Sequence, residues 1–383
     1  MTSLETETRS RLAGLWLTHG TANLRRVSEL STVADLRPTA MPIVIVGAGP
    51  SLTPAVPTLV ALRGRAIVIA ASHALAPLLV SGCRPDAVVV LDPQPQVGAQ
   101  FDGLDCAGIT LFVSPTVDPS FVSAPLSVAT YFTAGPGERW IGQAIGAEHR
   151  AFLTTGGNVC GAALSIAAQW TTGPIAIVGV DLGFPAGRVY ADGVSNAEDF
   201  GRLYLDSPFK VLTQDRTEIC STVAFVVALE FFRRQLLLEA GRVTNCSVGG
   251  AEMSGAAVPT LASWVRDLPI RAAAREEISF LPLHLEKRRE ELLSFLLQCA
   301  RCLDATAALI ASTPIEVQTT DGSELRSLVM QSLGPACDIA QLIVVEMPPR
   351  TDGGTVYDSI RDACLLAAPR IRHEVDTWDD GGA

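Results

Sequence analysis

From residue 42 to about 180 the chain repeats one pattern: a short run of β-branched and other apolar residues, a turn of small residues, then a stretch with helical spacing. The apolar runs fall at 42–46, 65–70, 87–91, 109–113, 128–132 and 174–178, with helical stretches such as 72–79 and 158–170 between them. Runs that are apolar at every position belong to strands buried on both sides, and their alternation with helices predicts a parallel sheet covered on both faces. The expected fold class is therefore α/β, a Rossmann-like and mostly parallel sheet with helices on both faces. A helical C-terminal domain is expected to follow it.

The flanking segments complete a three-part plan. Residues 1–40 read as a helical N-terminal segment, 41–258 as the Rossmann-like domain and 259–383 as the helical C-terminal domain. Within the second part, 217–239 reads as a largely apolar, buried helix and 242–245 as a short strand. In the third, 283–312 opens on the charged run EKRREE and continues as an apolar helix, with polar breaks expected at 314–322 and 353–354.

Composition excludes several classes. Of 383 residues 48% are hydrophobic and 18% charged, enough for sizeable cores and too apolar for a disordered chain. A net charge of −11 argues against a nucleic-acid partner and against an anionic membrane surface. No run approaches the ~18 consecutive apolar residues of a membrane span, and the polar start MTSLETETRS does not read as a signal peptide. A cytoplasmic location is the expectation. Nine cysteines are scattered along the chain, and Cys299 and Cys302 form a C-x-x-C inside a helical stretch with no second pair nearby. They read as thiols in a reducing compartment rather than as a zinc site.

Ligands of parallel α/β sheets bind beyond the carboxyl ends of the strands, so position selects the candidate residues. After the first strand come Gly47, Gly49, Pro50 and Ser51, in IVIVGAGPSL. Two glycines without Cβ atoms, a fixed φ at proline and a serine at a helix start suit a phosphate turn; they also suit a plain strand–turn–helix corner. His73 follows the second strand and Asp92 the third, where Pro93 holds Asp92 extended. A carboxylate there can reach a ribose hydroxyl or a metal, or simply cap the turn. The longest cluster is Thr155, Gly156, Gly157 and Asn158, which opens an alanine-rich helix; Asp181 ends the next strand and Tyr190 lies just beyond it. Two glycine-rich strand–helix elements and two strand-end acids in one sheet point to a nucleotide. The phosphate-loop and dinucleotide fingerprints are missing, as are the zinc-protease and serine-hydrolase motifs.

In order and spacing, GAGPSL (47–52), RPDAVVVLDP (84–93), TTGGNVCGAALSIA (154–167), PIAIVGVDLGF (174–184) and NCSVGGAEMSG (245–255) resemble the motility-associated, Maf-type glycosyltransferases and the related bacterial sialyltransferases. That resemblance implies transfer of a nonulosonic, sialic-acid-like sugar from a CMP-activated donor to serine or threonine of flagellin or another protein acceptor, with no cofactor required. It implies that Gly47, Gly49, Pro50, Ser51, Thr155, Gly156, Gly157 and Asn158 hold the nucleotide, and that Tyr190 sits near the donor phosphate. Asp92 and Asp181 would then orient ribose, sugar or acceptor. The sialyltransferases place a histidine base after the tyrosine region, whereas residues 185–283 contain no histidine. The base is left among His73, Asp92 and Asp181. The same family includes the archaeal 6-hydroxymethyl-7,8-dihydropterin diphosphokinase, which uses ATP and magnesium. Under that alternative Asp92 and Asp181 would be metal ligands. A non-catalytic nucleotide-sugar-binding protein is a further alternative.

Overall fold

The computed structural model describes residues 3–62, 64–194, 207–253, 257–268, 277–313, 323–340 and 356–380. An eight-stranded sheet, parallel throughout, organises the chain. Its strands are β1 (Ser31–Thr32), β2 (Ile43–Val46), β3 (Ile67–Ala71), β4 (Ala87–Val90), β5 (Thr110–Val113), β6 (Ser127–Thr130), β9 (Ile175–Val178) and β12 (Val243–Asn245). Two short pairs stand apart: β7 (Phe132–Thr133) with β8 (Phe152–Leu153), and the antiparallel β10 (Lys210–Leu212) with β11 (Glu218–Cys220).

The spatial order is β1-β6-β5-β4-β3-β2-β9-β12. The chain steps outward from β2 to β6, then crosses back to lay β9 on the opposite side of β2. Alternate residues along the strands feed two cores. Val44, Val46, Val68 and Val88 face one side, Ile43, Ile45, Ile69 and Ile177 the other.

The first face is covered by α1 (Ser3–Glu29), α2 (Leu52–Ala61), α3 (Leu75–Val80), α5 (Pro136–Ala144) and α8 (Leu261–Arg266), with the short α4 (Pro119–Val122) beside them. The second is covered by α6 (Val159–Trp170) and α7 (Val223–Leu238). The helix α6 lies close on β2, β3 and β4 because Ala162, Ala163 and Ala167 present only methyl groups to them. The C-terminal helices α9 (Leu285–Ser312), α10 (Ser323–Leu333) and α11 (Val356–Asp380) pack on one another and on α1 and α5. Their core is continuous with that of the first sheet face. Among the described residues α9 is the one helix long and apolar enough to cross a membrane; here Leu292, Leu296, Cys299, Leu303 and Ile310 are buried in the bundle.

Several expectations change in detail. The sheet begins before residue 41, since β1 pairs with β6. The helix expected from 217 starts at Val223, because Glu218–Cys220 pairs with β10 and the Thr222 hydroxyl caps the helix at the Phe225 N–H. That helix is also less buried than its apolarity suggests, with Val227, Leu237 and Leu238 exposed. The breaks expected at 314–322 and 353–354 lie outside the described residues.

Candidate functional site

The strand order reverses between β2 and β9, and at such a reversal the loops after neighbouring strands diverge and leave a crevice. At this reversal the turn after β2 and the turn after β9 interlock. Gly47 N–H donates to the Val178 carbonyl and Gly49 N–H to that of Gly179, both at 2.8 Å. A Cβ on Gly47 would collide with the Gly179 carbonyl oxygen, and one on Gly179, at φ +72°, with that of Gly47. A Cβ on Gly49 would collide with Asp181 Oδ2 and lie 2.9 Å from its Cγ. These glycines are therefore required by the protein's own second turn.

Asp181 and Ser51 complete the interlock. Ser51 N–H donates to Asp181 Oδ2 at 3.0 Å, and the Ser51 hydroxyl oxygen accepts from Gly179 N–H at 3.1 Å. Ser51 stands at the start of α2, where its hydroxyl makes no helix cap and joins the two turns. Asp181 is 3% exposed and flanked on its other side by Gly250, whose Cβ would stand 2.8 Å from Oδ1. Its Oδ1 has no hydrogen-bond partner. Burial pushes the Asp181 carboxyl up to about 6, against the opposing influence of the Ser51 N–H and hydroxyl. The expectation that Asp181 orients ribose, sugar or acceptor directly meets a side chain withdrawn from solvent, which acts through the backbone it holds. The same enclosure makes it a poor ligand for an exchangeable magnesium ion. Among the described residues no group of three His, Cys, Asp or Glu side chains could hold a metal. Leu182, next to this aspartate, adopts a left-handed φ of 50°, a strained conformation for a leucine.

Three expected site residues do converge on the carboxyl edge. The loop after β9 returns over the first turn, Ala191 N–H donating to the Ala48 carbonyl at 2.8 Å and Asp192 N–H to the Thr53 hydroxyl at 3.1 Å. This return lays Tyr190 on His73 from the end of β3, with ring centroids 5.6 Å apart and planes 6° apart. Burial lowers the pKa of His73, and the nearby Asp92 carboxylate partly offsets it. Asp92 is exposed and holds its own turn, accepting from Gln94 N–H at 2.9 Å and from the Gln94 side-chain amide at 3.1 Å. His73 Nε2 lies 3.0 Å from Gln100 Nε2.

The Thr155–Asn158 cluster opens α6 at the same edge of the sheet. Asn158 caps the helix, its Oδ1 accepting from Cys160 N–H at 2.8 Å, and Thr155 Oγ1 accepts from Gly157 N–H at 3.2 Å. Gly156 and Gly157 are left-handed, at φ +60° and +70°. A Cβ on Gly156 would stand 2.6 Å from Phe231 Cβ, whereas Gly157 faces open space. The α6 N-terminus thus presents a glycine backbone to solvent, the arrangement that accommodates anions.

Sequence reasoning missed Gln100, Ser247 and Glu138. Ser247 Oγ accepts from Val180 N–H at 3.1 Å, joining β12 to the β9 turn. Glu138 is buried and accepts from the Ser114 hydroxyl at 2.7 Å and Thr133 N–H at 2.6 Å, joining the end of β5 to β7.

Residues 18–187 match the family model described as 6-hydroxymethylpterin diphosphokinase MptE-like. The fold is similar to that of the Maf glycosyltransferase from Magnetospirillum magneticum AMB-1, with a TM-score of 0.57 at 17% identity. Residues 18–187 are thus similar to an MptE-like domain, and the likeness to the Magnetospirillum protein is one of fold. The structural match takes in 94% of this chain and 60% of the Magnetospirillum protein, so the chain spans less than two thirds of that relative. A DOX-P reductoisomerase bound to fosmidomycin and magnesium overlaps 89% of this chain and all of its own at 12% identity, but a TM-score of 0.20 carries no argument. No curated protein sequence matches significantly. The MptE-like match runs through both interlocked turns and stops three residues short of Tyr190.

Proposed function

We propose that the chain is a glycosyltransferase that moves a nonulosonic, sialic-acid-like sugar from a CMP donor to a serine or threonine hydroxyl of a protein acceptor, flagellin being the acceptor the resemblance implies. The observation that carries this reading is the company His73 keeps. The chain lacks the histidine that the sialyltransferases place after the tyrosine region, and here an imidazole from the end of β3 stacks on Tyr190 with Asp92 beside it. In this reading the acceptor hydroxyl attacks the anomeric carbon as the bond to the CMP phosphate breaks and CMP leaves with the electron pair. His73 takes the hydroxyl proton, which suits a ring whose burial keeps it neutral near pH 7. The Thr155–Asn158 helix start receives the phosphate through backbone N–H groups.

The diphosphokinase in the matching family description supplies a second reading. The test is thermal unfolding with CMP alone against ATP with magnesium. Under the transferase reading CMP stabilises the native state without metal, by about 2.7 kcal/mol at a hundredfold excess over Kd, and ATP with magnesium does not. The reverse pattern overturns it in favour of the kinase. Stabilisation by CMP with no turnover of a CMP-sugar identifies a non-catalytic binding protein.

A further inference from the structure

Gln100 lies on a short 3-10 turn (Pro95–Gln100) after β4 and touches His73 through one imidazole nitrogen only. The other nitrogen, Nδ1, makes no hydrogen bond and is not sealed from solvent, while the remaining amide atom, Gln100 Oε1, is buried without a partner. One ring edge is therefore tied to the protein and the other is free, with the ring face fixed by Tyr190. The oxygen and nitrogen of a glutamine amide are interchangeable in shape, so the chemistry must decide which of them meets Nε2.

With the amide nitrogen against the ring, Nε2 is the acceptor. Nδ1 then carries the hydrogen, and the ring has no lone pair on its free edge. With Oε1 against the ring, Nε2–H donates and the Nδ1 lone pair is free. Only the second arrangement also survives protonation. Imidazolium has N–H groups at both nitrogens, and a second N–H facing Nε2–H would repel it. We infer that Gln100 is a positioning residue: its carbonyl oxygen accepts from His73 Nε2–H and so presents Nδ1 as the proton acceptor on the ring's free edge. The use of Nδ1 in catalysis rests on the transferase reading; the tautomer itself does not.

Long-range proton–nitrogen NMR of the full chain with 15N-labelled histidine reads the tautomer directly. The chain has five histidines, and the His73→Phe variant assigns the relevant signals. The expected spectrum shows His73 protonated at Nε2 and bare at Nδ1, and Gln100→Leu should lose that single-tautomer signature. Gln100→Glu, which keeps an acceptor and adds charge beside a ring already near Asp92, should restore the signature and raise the His73 midpoint by about one pH unit. The acid limb of any transfer activity should move with it. A wild-type His73 protonated at Nδ1, or spectra unchanged by Gln100→Leu, overturns the inference even if the variants fold poorly, since the first result needs no variant. A correct tautomer in a protein that transfers no sugar overturns the transferase reading and leaves this inference standing.

Discussion

The enclosed carboxyl of Asp181 makes a prediction whose size follows from the structure. An ordinary aspartate near 3.8 that rises to about 6 on burial binds its proton more tightly folded than unfolded. The native state therefore carries more protons than the unfolded chain between those two values, and stability must fall as pH rises through them. The contribution is fully present below pH 4 and gone above pH 6. At 1.36 kcal/mol per tenfold change, the loss is about 3 kcal/mol. Asp181→Asn keeps an oxygen to accept the Ser51 N–H, now at 3.0 Å from Asp181 Oδ2, and carries no titrating proton. Urea unfolding of both proteins at matched pH values from 4 to 7.5 isolates the effect, because every other carboxylate is common to the pair. Relative to the variant, the wild type should lose about 3 kcal/mol across that range, most of it between pH 4 and 6. Parallel stability curves would refute the enclosed carboxyl as the source, and a wild type gaining stability with pH would mean that its charge is welcomed by a partner.

Two substitutions test the interlocked turns and the cap of α6. Gly49→Ala drives a methyl group into the Asp181 carboxylate and should lower stability by about 1–3 kcal/mol, seen as a fall in Tm, whereas Gly98→Ala, whose Cβ would meet nothing within 4 Å, should leave Tm nearly unchanged. Equal effects at the two sites would remove the interlock from the account. Asn158→Ala deletes the cap of α6, bonded at 2.8 Å to Cys160 N–H, and should cost about 1 kcal/mol in chemical unfolding; an unchanged midpoint would show that solvent replaces the cap freely.

The central strands were legible because all-apolar, β-branched runs have few other uses in a chain with this composition. The same signal fails at the margins. Ser31 and Thr32 carry no apolar run, and they become a strand only because β6 offers an open parallel edge. Glu218–Cys220 reads equally well as the first turn of the helix that follows; its pairing with Lys210–Leu212 is a tertiary fact. The site was legible as positions but not as neighbours. His73 and Tyr190 meet because a loop doubles back over the first glycine turn, held by Ala191 and Asp192 backbone bonds that no local pattern announces. The missing Cβ atoms at Gly47 and Gly49 make room for a close approach, and the approaching groups are Gly179 and Asp181. Sequence spacing shows that a backbone needs room and leaves open what fills it.

The interlocked turns also impose an order on how this protein can come into being. Ser51 and Asp181 are 130 residues apart in the chain. At a synthesis rate of ~5–20 residues per second, the first turn leaves the ribosome roughly 7–26 s before its counterpart exists. Throughout that interval β2 is the outermost strand on its side of a growing parallel sheet, with apolar faces and a free hydrogen-bonding edge. Such an edge invites pairing with other nascent chains. The crevice that defines the mature molecule is thus the seam at which its synthesis is most exposed, and slowing translation between residues 51 and 181 should raise the share of chains lost to aggregation.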